Sequence, residues 1–116
     1  MGVSEPLIQA SLLGEAIENG PAAVFVADEH GKYVAVNQAA CIMLGYTREQ
    51  LLDLRVSDVA QYTEAGEEWT EMRKAGTRVG TSSLTRKDGT LVEFNYVAGA
   101  TTVAGMPVFV SVGAAG

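Results

Sequence analysis

The sequence predicts an α+β fold: a five-stranded antiparallel sheet with helices covering one face. Three observations carry this. Two runs rich in Val and aromatic residues, 22–27 and 33–36, flank the polar turn Asp28-Glu29-His30-Gly31-Lys32, which is a hairpin pattern. A second pair of strand-like runs meets at Asp88-Gly89, a dipeptide suited to a tight turn. Between the two strand blocks, apolar residues recur at helical spacing. The helices therefore separate two early strands from three late ones.

Each element has a local reason. Residues 5–19, EPLIQASLLGEAIEN, read as an amphipathic helix. Leu7, Ile8, Leu12 and Ala16 form an apolar stripe that Leu13 and Ile17 widen, with Glu15 and Glu18 toward water. Pro6 suits the first turn, where a missing N–H costs nothing, and Gly20-Pro21 ends the helix. Asn37 is placed to cap a helix over 38–44, because its side chain can accept from an unpaired backbone N–H. Gly45 suits the C-cap. Thr47 and Gln50 have the spacing of a capping box. Ser57-Asp58-Val59 reads as the opening of a turn. Thr63–Ala75 is the longest late helix, with Tyr62, Ala65, Trp69 and Met72 on one face and four glutamates around the rest. Strands then follow over 79–85, 91–98 and 108–112, with a Gly-containing loop between the last two. No internal repeat is present.

Composition narrows the function. The chain has 116 residues, 47 % hydrophobic and 19 % charged, which is one globular domain with enough chain to bury a core. The net charge of −6, with Lys and Arg scattered, argues against a nucleic-acid partner. Cys41 is the single cysteine, so an internal disulfide and a thiolate-rich metal site are both excluded. No apolar run approaches the ~20 residues of a membrane span. The N-terminus lacks a basic segment followed by an apolar one, so the expectation is a cytoplasmic protein with no membrane partner. Phosphate loop, nucleophile elbow and metal-ligand spacing are all missing, and no enzyme activity is expected.

The run GPAAVFVADEHGKYVAVNQAACIMLGYTREQLL resembles the N-terminal half of PAS domains: an apolar strand, Asp-x-x-Gly, a strand ending in Asn, a short helix, Gly-Tyr and paired leucines. TRKDGTLVEFNYVAG is similar to the Lys-Asp-Gly hairpin and following strand of that family. The resemblance covers residues 17–113 of the chain. It implies five antiparallel strands around a helix-lined cup that senses ligands, holds cofactors or dimerises. Residues 1–19 are then a flanking, dimerising helix, and 20–116 the PAS sensor domain. Asn37, Asp28 and Gly31 take structural roles in caps and turns.

The cofactor must be argued at the site. Light-sensing flavoprotein (LOV) members carry Asn-Cys-Arg-Phe-Leu after the paired leucines; here Arg55 stands at the Asn and Val56 at the reactive Cys. Their flavin-holding Asn and Gln match Phe94 and Gly113. A LOV-type flavin is therefore not expected. A haem member would place a His on the late helix, and residues 63–75 contain none. The lone His30 sits in a polar turn, and Met72 reads as packing, so His-ligated haem is not expected either. The identity of any other cofactor stays open. Cys41 reads as a small packing hydrophobe with no context that would lower its pKa.

The expected function is a sensory module that binds a small apolar or amphipathic ligand, forms a homodimer, or both. It would regulate an effector domain in a longer signalling protein, of the two-component or transcription-regulating kind. The pocket is expected from Val24, Val26, Met43, Leu44, Trp69, Met72, Leu84, Phe94, Tyr96, Phe109 and Ser111, with small residues Ala22, Ala40, Ala98 and Gly113 nearby. The dimer interface is expected from Leu7, Ile8, Leu12 and Ala16 with Val108, Val110 and Val112, joined by Val97 and Leu91 on the outer sheet face. A PAS domain that only dimerises is the alternative. A small cone-shaped α+β enzyme would need an inward carboxylate, but Glu93 and Asn95 alternate with Val92, Phe94, Tyr96 and Ala98, which look like the interior. At the surface, Gln50 is expected to meet Lys87, or Glu49 to meet Arg86 or Lys87.

Overall fold

The computed structural model of the chain describes residues 2–60 and 77–116. The expected helix Thr63–Ala75, with Trp69 and Met72, lies outside the described residues. In chain order the elements are α1 (Pro6–Asn19), β1 (Ala23–Asp28), β2 (Tyr33–Val36), α2 (Gln38–Leu44), α3 (Arg48–Leu52), α4 (Val56–Val59), β3 (Thr77–Thr85), β4 (Leu91–Val103) and β5 (Met106–Ala115). The strands form one five-stranded antiparallel sheet in the order β2-β1-β5-β4-β3. The last strand thus sits in the middle and joins the early hairpin to the late one.

Register defines two faces, because directly paired residues point the same way. The inward face carries Ala23, Phe25 and Ala27 of β1, opposite Gly113, Ser111 and Phe109 of β5. It continues through Tyr96 and Ala98 of β4 to Gly80 and Arg78 of β3. Leu44 of α2, Leu51 of α3 and Val59 of α4 are fully buried and join Phe25, Tyr33, Leu84, Phe94 and Tyr96 in one core.

Two features depart from the sequence pattern. Ser57-Asp58-Val59 falls within α4, a single helical turn, where the Asp58 carboxylate accepts from the Arg55 N–H at 2.8 Å. The loop expected between the last strands is instead a continuation of β4 and β5, paired as far as Val103 with Met106. Ala104 (φ 51°) and Gly105 (φ 79°) close it in the left-handed region that suits a two-residue hairpin. Residues 100–107 are all exposed, so no alternation of apolar and polar positions announces the pairing. A bulge also separates Val26 from Ala27 against β2. It lets Tyr33 and Val36 both enter the core, which a strict period of two forbids.

The expected caps are present. Asn37 accepts at Oδ1 from Ala40 N (3.1 Å) and Val24 N (2.9 Å), and its Nδ2 donates to the carbonyls of Ile17 (2.7 Å) and Ala22 (2.8 Å). Thr47 and Gln50 form the capping box. In the first hairpin turn, Asp28 Oδ1 accepts from His30 N at 2.9 Å and Lys32 N at 3.0 Å.

Replacing Asn37 with Ala removes a cap and leaves buried backbone groups unpaired. We expect a loss of about 3 kcal/mol in urea unfolding, with Asn37→Asp intermediate because it keeps the acceptor and loses the donors. A loss under about 0.5 kcal/mol would show that the network is dispensable. A second expectation concerns acid. Burial acts to raise the Asp28 carboxyl, but the N–H groups of Lys32 and His30 and the charges of His30 and Arg55 outweigh it and hold it below its ordinary value. A carboxyl held low in the folded state contributes stability above its unfolded pKa and loses it as pH falls through the folded one. Unfolding midpoints measured from about pH 5 down to pH 2 should fall less steeply for Asp28→Asn than for the unaltered chain; parallel curves would remove Asp28 from the acid response.

Candidate functional site

The inward face of the sheet is an aromatic and small-residue surface. Phe25 lies 5.5 Å from Tyr33 and meets Phe94 edge-on, also at 5.5 Å, while Phe94 and Tyr96 stack at 5.8 Å. Leu84, Phe94, Tyr96 and Phe109 are buried, and Leu44 is fully so. Ser111 is half-buried between Phe25 and Ala98. Met43 is half-buried against the core and also lines a groove of about 660 Å³ beside α2, with Gly20, Ala23, Ile42 and Ala114. Trp69 and Met72 lie outside the described residues.

Val24 and Val26 stand elsewhere than expected. They pair with Val112 and Val110, which puts them on the outer face rather than in the cup. The outer face itself is a cross-strand row: Val24 pairs with Val112, Val112 with Val97, and Val97 with Val79. Val79 is 79 % and Val97 53 % exposed, with Leu91 and Val112 also exposed. Val108 and Val110 do not share this exposure. Val108 is 1 % exposed and Val110 half-buried, although Val112 on the same strand is exposed. Sequence reading left Val79 out of the patch; its neighbours Gly80 and Thr81 hide the alternation.

Helix α1 buries none of its residues. Leu7 (76 % exposed), Leu12, Leu13 (64 %), Ile17 and Ala16 are exposed, and Ile8 is half-buried. Its last turn is nevertheless bonded to the domain. Beyond the Asn37 contacts, Glu18 Oε1 accepts from Gln38 N at 3.0 Å and pairs with the Arg48 guanidinium. Arg48 Nε in turn donates to the Val36 carbonyl at 3.1 Å. Glu18 was legible only as a solvated position, and Arg48 as one of the scattered cations.

Other expected positions fall as follows. Lys87 Nζ donates to Gln50 Oε1 at 3.3 Å, the first of the pairings foreseen. Glu93 and Asn95 face out while Val92, Phe94, Tyr96 and Ala98 are buried. Cys41 packs partly buried against the core, and burial pushes its thiol up from the ordinary value. His30 lies in the exposed turn, 4.0 Å from Glu29. Among the described residues, no group of three His, Cys, Asp or Glu side chains is placed to hold a metal, and no helix is long and apolar enough to cross a membrane.

Comparison with known proteins agrees with this architecture. A family model described as PAS domain matches residues 21–112. Among solved structures, the chain is similar to a PAS domain from a two-component sensor histidine kinase, with TM-score 0.83 and 19 % identity over 97 % of this chain and 100 % of that one. It is similar to the PAS domain of an HTR-like protein from Haloarcula marismortui, with TM-score 0.79 and 22 % identity over 92 % and 91 % of the two chains. It also matches a domain of a sensory box sensor histidine kinase/response regulator from Geobacter sulfurreducens, with TM-score 0.80 and 18 % identity over 96 % and 98 %. No curated protein matches the chain. With the family model spanning most of the sequence and the five-stranded sheet and its helices in place, the chain belongs to the PAS domain family.

Proposed function

We propose that this PAS domain is the sensory module of a longer signalling protein, regulatory rather than catalytic. It responds to a small apolar or amphipathic ligand on its inward face and pairs with a second copy through α1 and the outer face of the sheet. The observation that carries this is α1: an apolar stripe of Leu7, Leu12, Leu13 and Ile17 in the open, on a helix whose last turn is bonded to α2 and α3. Apolar area gains roughly 25 cal/mol per Å² when it leaves water. An exposed patch of that kind is a mark of an interaction surface, and the sheet carries a second exposed apolar row in Val79, Val97 and Val112. A two-fold pair reuses one patch on both copies and closes the assembly. The relatives drawn from sensor histidine kinases support an output domain of that kind.

Deletion of residues 1–16 keeps Ile17, Glu18 and the Asn37 bonds but removes Leu7, Leu12 and Leu13 from the stripe. Light scattering should give a dimer for the full chain and a monomer or a less soluble species for the deletion. Leu13→Glu, which places a charge on the stripe, should weaken the dimer by about 100-fold, since a central apolar contact carries about 2–3 kcal/mol. A monomer at high concentration with α1 present, and a deletion that changes neither mass nor stability, would sink the pairing. A dimer that takes up no ligand would leave a module that only pairs.

A further inference from the structure

We infer that Ser82 is the hydrogen-bonding handle for a neutral ligand that presents an acceptor oxygen, such as a carbonyl, to the inward face of β3 and β4. This rests on the sensing role proposed above and names the chemistry of the ligand. Ser82 is 8 % exposed, and among the described residues its Oγ has no hydrogen-bond partner. A hydroxyl withdrawn from water without a partner opposes folding, and alanine would fill the same place without that cost. An unpaired buried hydroxyl therefore points to something it is meant to bond.

The surroundings say what that is. Ser82 pairs with Phe94, and Gly80 pairs with Tyr96, so all four lie on the inward face. A Cβ at Gly80 would come within 3.1 Å of the Tyr96 phenol oxygen, so the glycine is what lets that ring lie across β3. Phe94 and Tyr96 then form a stacked aromatic wall beside Ser82, with Leu84 on its other side. Ala98 and Ser111, register partners on the same face, keep the adjoining floor low. Among the described inward residues of β3 the only charge is on Arg78, four positions from Ser82 and so ~13 Å along the strand. A charged ligand seated on Ser82 would lose its hydration with no counter-charge nearer than Arg78 among the described inward residues of β3. A pure hydrocarbon would leave the hydroxyl unpaired. A neutral, partly aromatic molecule with one acceptor oxygen satisfies both the wall and the hydroxyl.

The test uses two probes of nearly equal shape, acetophenone and α-methylstyrene, which differ in a carbonyl oxygen against a methylene. Each is titrated into the full chain and followed by backbone amide NMR. We expect acetophenone to bind about tenfold more tightly, the factor for one good hydrogen bond. Ser82→Ala should abolish that preference while leaving the hydrocarbon's affinity and the fold unaltered, and Ser111→Ala should keep it. Equal binding of both probes by the unaltered chain would overturn the handle and leave the sensing role standing. A preference that survives Ser82→Ala would likewise overturn it. No response to either probe, up to its solubility, would overturn both the handle and the ligand-sensing reading.

Discussion

The side chain of Asn37 is the joint on which the rest of the domain turns. Its amide holds four backbone groups from three segments: carbonyls at the end of α1 and before β1, and N–H groups in β1 and α2. Each bond is worth about 1 kcal/mol net, but the geometry matters more than the sum. Hydrogen bonds are directional where apolar contacts are not, so the orientation of α1 is set by the same residue that starts α2. Glu18 reinforces this through Gln38 N and Arg48, and Arg48 reaches back to the end of β2. An exposed apolar helix is thus fastened to α2 and α3 by polar contacts.

That arrangement gives a physical route between the proposed ligand and the proposed partner. The inward face of the sheet packs α2, α3 and α4 into the core, and α2 carries the joint. A shift of α2 would carry Asn37 with it and so bear on the direction of α1. Coupling then requires only that the ligand bind two arrangements of α2 with different affinity, and by linkage the partner copy must bias the ligand by the same factor. Because β5 lies between β1 and β4, the outer valine row and the inward face are also two sides of the same strands.

The caps and turns were legible in the sequence because they are local. Asn37, Gly45 and the Thr47–Gln50 box depend on residues within one helical turn, and the inward set on β4 follows from simple alternation. The family pattern supplied the order of the blocks. Register was not legible. Whether Val24 faces the cup depends on β5, nearly ninety residues away, and no local pattern in VFVAD states it. The bulge that turns Tyr33 inward breaks the period that strand reading relies on. Ser82 was missed because TSSLT has one apolar residue, so its alternation is silent.

Strand β3 shows why these matters belong together. Its inward positions are Arg78, Gly80, Ser82 and Leu84, and its outward positions begin with the exposed Val79. A strand selected only to close a core would carry apolar residues inward and polar ones outward. Here the order is partly inverted: small and polar residues inside, a bare valine outside. Each half of the inversion costs stability if the domain stands alone with a filled core. An inward ligand that takes the hydroxyl, and an outward partner that covers the valine, remove both costs. Since Val79 and Ser82 are three residues apart on one strand, a ligand that moved β3 at Ser82 would move the outer row as well, which would put the proposed sensing surface and the proposed pairing surface on the two faces of one strand.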